Sequence, residues 1–164
     1  MSSEAEMLKR EQAMALFQQA YRHQMQGKLD EAIKLYKRSI EIFPSAEGHT
    51  FLGWTYSFQG RLDDAIEECL RAIEVDPSFG NPYNDIGAYL VEKNQLDEAI
   101  VWFERAVQAP RYENYCFPHF NLGRVYERKR MFLPALEEYK KAWKENPQHL
   151  GALQSIRQLQ AMMN

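Results

Sequence analysis

The residues of this 164-residue chain with the means to do chemistry are four histidines, two cysteines and several carboxylate pairs. His23, His49, His119 and His149 would make bases or metal ligands if they converged, but they are scattered with no ligand spacing, and ordinary helix histidines are expected. Cys69 and Cys116 form neither a disulfide framework nor a metal motif. Cys69 is expected to be buried and inert. Cys116 opens a helix, where a thiol pKa can fall, but a structural role is expected for it too. The acidic pairs Glu67-Glu68 and Glu137-Glu138 diverge on a helix and read as solvated faces, not as acid–base couples. The chain contains no glycine-rich phosphate loop, nucleophile elbow or HExxH motif. No catalytic residue, metal or cofactor is expected.

Composition narrows the alternatives. Apolar residues at 45% and charged residues at 26% are globular values. The formal net charge of −3 argues against general nucleic-acid binding. The charge is unevenly spread: residues 1–46 are net +1, residues 47–104 net −9 and residues 105–164 net +5. No apolar run approaches the roughly 20 residues of a membrane helix. The opening MSSEAEMLKREQAMALF lacks the apolar stretch of a secretion signal. Unpaired cysteines fit a reducing compartment, so a soluble, cytoplasmic protein is expected.

The elements behind these residues follow a period. Ala32, Ala65, Ala99 and Ala135 sit in one local frame, at spacings of 33, 34 and 36. Twelve residues before each stands Ala20, Gly53, Gly87 or Gly123. Twelve after stand Pro44, Pro77 and Pro147, with Pro110 one residue early. Gly53–Pro77 shows the unit best: two short amphipathic helices joined at Gln59-Gly60 and stopped by proline. Ser3 with Glu6 matches a capping box, so a helix can start there and run to a break at Gly27. Residues 150–163 form a last amphipathic stretch through Leu150, Leu153, Ile156 and Leu159. Two extra residues at Arg111–Tyr115 stretch the period between the third and fourth copies, as a longer loop or a local change of pitch.

These landmarks resemble the tetratricopeptide repeat, a helix-turn-helix unit of about 34 residues. The second copy carries Leu52-Gly53-x-x-Tyr56, Gly60, Leu62, Ala65, Cys69, Ala72 and Pro77, and the fourth Leu122-Gly123-x-x-Tyr126, Ala135, Tyr139, Ala142 and Pro147. The resemblance implies a single all-α domain. It is expected as a right-handed superhelix of four units at 13–45, 46–79, 80–113 and 116–149, with an N-terminal extension at 1–12 and a capping helix at 150–163. Each unit has a first helix, A, and a second, B. The small residues let the pair approach closely, and Tyr36, Phe103 and Tyr139 fill the space between neighbours.

The resemblance further implies that the A helices line a concave groove where partners bind. Carried over by position, the groove set is Phe17 and Tyr21 from the first copy and Phe51, Trp54 and Phe58 from the second. The third adds Asn84 and Asp85, and the fourth Phe117, Phe120, Asn121 and Arg124. The aromatics are more than packing requires at these places, and together they would form an apolar patch. Residues 1–12 are available to fold over it. Asn84, Asn121 and Arg124 could hold a peptide backbone or a carboxylate. The family's carboxylate clamp for chaperone tails is absent: Phe17, Tyr21 and Phe51 stand where it needs polar and basic residues, and Asp85 would repel a carboxylate. The expected function is a non-enzymatic scaffold or adaptor holding a peptide or helix of another protein, with homo-oligomer formation possible. The alternatives are a self-assembling structural repeat protein, through the acidic middle and basic end, or a chaperone for a secreted or assembled client.

Overall fold

The computed structural model describes residues 2–164, and its regular elements are nine α-helices. They are α1 Ser3–Met25, α2 Leu29–Ile42, α3 Ala46–Phe58, α4 Leu62–Val75, α5 Asn81–Glu92, α6 Leu96–Gln108, α7 Cys116–Arg128, α8 Phe132–Glu145 and α9 Leu150–Met163. Packing is local. Each A helix lies against its own B helix, each B helix against the next A helix, and α1, α3, α5 and α7 touch in turn. The result is an all-α helical-repeat superhelix whose core runs along its length.

Identical physical devices recur at each level of the stack. Every A helix ends in a left-handed residue: Gly27 (φ 75°), Gly60 (φ 73°), Asn94 (φ 60°) and Arg130 (φ 58°). Glycine meets no steric penalty there and asparagine little; arginine must be held. What holds it is the bond closing each turn. The N–H groups of Lys28, Arg61, Gln95 and Met131 donate to the carbonyls of His23, Tyr56, Leu90 and Tyr126 at 2.8–3.0 Å, the 6→1 bond of a helix C-terminal motif. The B helices α2, α4 and α6 open on Asp30, Asp63 and Asp97, which suit the positive helix end. Each of these aspartates also accepts from the residue ending the next A helix: Gln59, Lys93 and Lys129. One side chain therefore both starts its own helix and stitches two repeats.

Within each pair, small residues set the spacing. A Cβ on Gly87 would lie 2.5 Å from the Phe103 ring, one on Gly123 2.5 Å from Tyr139, and one on Gly53 2.8 Å from the Ala65 carbonyl. Ala32, Ala65, Ala99 and Ala135 are fully buried opposite. Tyr36 and Tyr139, at one repeat place, donate to Gln24 Oε1 and Glu127 Oε2, each at 2.7 Å. In the third repeat Phe103 needs no acceptor, and the matching place holds Val91.

Several local expectations require correction. Helix α1 is capped by Ser2, whose hydroxyl accepts from the Ala5 N–H, one residue earlier than the expected Ser3–Glu6 box. Residues 3–12 are the first turns of α1, continuous with the rest of that helix. Met1 lies outside the described residues. In α9 the buried side is Ala152, Ile156 and Leu159, whereas Leu150 is 70% exposed, since it lies about 200° around the helix from Ala152. His149 caps α9 by accepting from the Ala152 N–H. The stretched junction is a clasp. Arg111 pairs through its backbone with Ser78 and Gly80, forming an isolated parallel bridge between Phe79 and Arg111. Its guanidinium donates to Asp76 and Glu47 and lies 4.1 Å from the Phe79 ring centroid.

Candidate functional site

The A helices α1, α3, α5 and α7 carry the expected groove residues, and their environments divide them into three groups. The first is an aromatic array. Phe17 meets Phe51 edge-on at a centroid distance of 5.1 Å, Tyr21 meets Phe51 at 5.8 Å, Phe51 meets Trp54 at 5.7 Å and Trp54 meets Phe58 at 5.2 Å. Edge-to-face rings at such distances attract beyond simple burial. Phe51 is the hinge of the array, because it also packs against Tyr36 in the core. The outer rings remain open: Tyr21 is 41% exposed and Phe58 57%. Met14 and Met25 on α1 add exposed apolar surface beside them.

The second group is polar and sits on α5 and α7. Asn121 donates through Nδ2 to Asn84 Oδ1 at 3.0 Å, joining the two helices. Asp85 lies next to Asn84 with no ion pair to a cation among the described residues. Burial pushes its carboxyl up to about 7, against a smaller opposing effect of a hydrogen bond with Asn84. Arg124 is exposed, and it enters no hydrogen bond or ion pair among the described residues. It borders a cleft of about 260 Å³ between α5 and α7, floored by Phe103 and Val125 and walled by Ala88, Val91 and Asn121.

The third group is Phe117 and Phe120. Phe120 is half-buried between Tyr139 and the His149 ring, at 5.5 and 4.6 Å. Its outer edge lies against Gly151 at the start of α9. The capping helix thus takes up this ring. Phe117 meets the same histidine at 6.3 Å and stays 46% exposed.

Some side chains behave unlike the sequence expectation. His49 meets the buried Glu68 and His119 the half-buried Glu138: His49 Nδ1 lies 2.7 Å from Glu68 Oε2, and His119 Nδ1 lies 2.7 Å from Glu138 Oε2. Glu68 and Glu138 also accept from Arg71 and Lys141. The acidic doublets are therefore not two solvated faces: the first glutamate is exposed and the second turns inward. Burial raises the Glu138 carboxyl, but the bonds from His119 and Lys141 outweigh it and leave the group below its ordinary value. The signal was in the sequence: a 19-residue His–Glu interval occurs twice at one repeat place. In the third repeat those places hold Tyr83 and Trp102, packed ring to ring at 6.1 Å. Cys69 and Cys116 are both buried, and burial raises both thiols, so Cys116 shows no helix-terminus activation. No group of three or more His, Cys, Asp or Glu that could hold a metal occurs among the described residues. No helix is long and apolar enough to cross a membrane.

Comparison with known proteins agrees with this architecture. Residues 13–46 match one family model described as a tetratricopeptide repeat, and residues 46–79 and 81–111 match another of the same description. No curated protein matches the chain. Among solved structures it is similar to pilF of Pseudomonas aeruginosa, at 23% identity with a TM-score of 0.86, over 94% of this chain and 70% of that one. It is also similar to MamA, at 27% identity and a TM-score of 0.72, over 85% and 81%. A third is YrrB, described as a repeat protein with an unusual peptide-binding site, at 20% identity and a TM-score of 0.69, over 92% and 77%.

Proposed function

From the premise that this chain belongs to the tetratricopeptide-repeat family, we propose that it is a protein-interaction scaffold whose groove holds an apolar helix or peptide of a partner protein. The supporting observation is the aromatic array from Phe17 to Phe58. Its inner ring, Phe51, is built into the core, while Tyr21, Trp54 and Phe58 carry the same packing outward toward solvent. A folded chain gains little by exposing rings in a contiguous row; a partner covering them gains apolar burial and edge-to-face contacts. Trp and Tyr are also the commonest residues at energetic centres of interfaces. An amphipathic helix laid along the groove, with apolar residues at i, i+3 and i+4, matches this surface.

The test separates groove from core. Phe51 is unsuitable for it, because truncation would also remove core packing against Phe17 and Tyr36. Trp54→Ala with Phe58→Ala leaves that packing in place. The wild-type chain and this variant, each immobilised, are compared by affinity capture from lysate of the source cell with mass spectrometry. Polypeptides retained by the wild type and lost by the folded variant support the groove. An identical retained set refutes it.

Charge segregation favours a second reading, self-association of the acidic middle with the basic end. Light scattering at two salt concentrations decides: a dimer that dissociates with salt supports it, and a monomer at both supports the groove alone.

A further inference from the structure

The groove is not uniform along its length, and the difference has a chemical direction. At the α1–α3 end it is aromatic and carries the open rings of Tyr21 and Phe58. At the α7 end it carries two guanidinium groups. Arg124 is exposed with no hydrogen bond or ion pair among the described residues, and Arg128 donates only to the Asn94 side chain, at 3.0 Å. Both line the cleft of about 260 Å³ whose floor is apolar. This contrasts with most of the other cations in the middle of the chain, which are engaged: Arg61 with Asp64, Arg71 with Glu67 and Glu68, Lys93 with Asp63, and Arg111 with Asp76 and Glu47. Arg124 and Arg128 belong to the basic end of the chain, residues 105–164 with net +5.

We infer that the groove reads a bipartite helix: a cluster of large apolar side chains docks on the Tyr21–Trp54–Phe58 rings, and an aspartate or glutamate side chain of the same helix docks on Arg124 and Arg128. The inference rests on the proposed groove function and adds the chemistry and spacing of its occupant. The carboxylate is drawn to α7 because two guanidinium groups there face one acid, Glu92, across the cleft. Arginine suits the role, since its planar fork binds a carboxylate by two parallel hydrogen bonds. The apolar floor of Phe103 and Val125 receives the methylenes of the docking side chain and lowers the local dielectric, which strengthens the pairing. The spacing follows from the architecture. Helix α7 stands two A helices beyond α3, and packed helices lie about 8–10 Å apart. The two subsites are then about 16–20 Å apart, or about 11–13 residues of α-helix at about 1.5 Å per residue.

The experiment is selection of a phage-displayed library of helix-forming 20-residue peptides on the immobilised full chain. The expected winners carry an apolar cluster and an Asp or Glu about 11–13 residues away. Synthetic winners should lose about tenfold in affinity when that acid becomes Lys. The Lys peptide should regain affinity for the Arg124→Glu, Arg128→Glu double variant. Arg124 and Arg128 are exposed, so the double variant is expected to melt like the wild type. Winners that need Trp54 and Phe58 but show no acid, or whose affinity ignores the charge swap, overturn the bipartite reading and leave the apolar groove standing. Winners indifferent to Trp54→Ala with Phe58→Ala, or no winners at all, overturn both.

Discussion

Replacing Asp85 by Asn should stabilise this protein, and by more at pH 8 than at pH 5. The Asp85 carboxyl lies on α5 with no cation paired to it among the described residues, and burial pushes it up to about 7, against an ordinary value of 3.8. The sign follows from linkage. A carboxyl that holds its proton more tightly in the folded state contributes stability that is complete below the unfolded value and is lost as pH rises through the folded one. Between about pH 4 and pH 7 the wild type should lose stability that Asp85→Asn keeps. The full interval corresponds to roughly 4 kcal/mol. Asp85 retains partial contact with the groove, so about 1–3 kcal/mol is the expected difference. Asn matches the shape of Asp and can still bond to Asn84. The groups facing Asp85 are the buried Cys69, Tyr89 and Tyr112, none of which ionises in this range, since burial raises all three. Urea denaturation of both proteins at pH 5, 6, 7 and 8 measures the gap. A gap that stays constant across the series, or narrows with rising pH, refutes the reasoning.

Three other perturbations test the packing. Gly87→Ala sets a methyl 2.5 Å from the Phe103 ring and should cost about 1–3 kcal/mol in a thermal or urea melt, whereas the exposed Gly60→Ala is strained only by its φ of 73°. His119→Ala leaves the half-buried Glu138 with Lys141 as its remaining partner and should cost about 1–3 kcal/mol. A cycle with Glu138→Gln should show coupling between the two, and strict additivity would contradict the pairing. Arg111→Ala removes a half-exposed network and should lower global stability by only about 0.5–1.5 kcal/mol. It should also speed hydrogen exchange at the Gly80 N–H, which is held by the Arg111 carbonyl.

Much of the fold was legible in the sequence because a repeat stack has mostly local contacts. A helix pair of one period meets only itself and its neighbours, so alanine and glycine at fixed intervals state which backbones must approach. That Gly87 and Gly123 let their helix pairs approach closely is read from spacing, whereas that Phe103 and Tyr139 of the same repeats lie opposite them is not. The buried face of α9 was less legible, since an apolar run at every third residue drifts around the helix and leaves Leu150 opposite Leu159. The Ser2 cap was missed by one residue, because neighbouring serines compete for one role.

The sequence by itself determined the helix pairs, their turns and the row of A helices, because period, small residues and left-handed turn positions are properties of the chain taken a few dozen residues at a time. Only the tertiary structure decided what each A-helix side chain meets. Gln24 and Glu127, at one place near the ends of their A helices, turn to the phenols of Tyr36 and Tyr139. Phe120 is taken by His149 and α9, while Phe58, at the end of α3, stays open. Glu68 and Glu138 leave solvent for histidines on the paired helix. Whether a side chain is spent inside or presented outside depends on the residue opposite it, and that residue comes from another helix, which periodicity along one helix does not name.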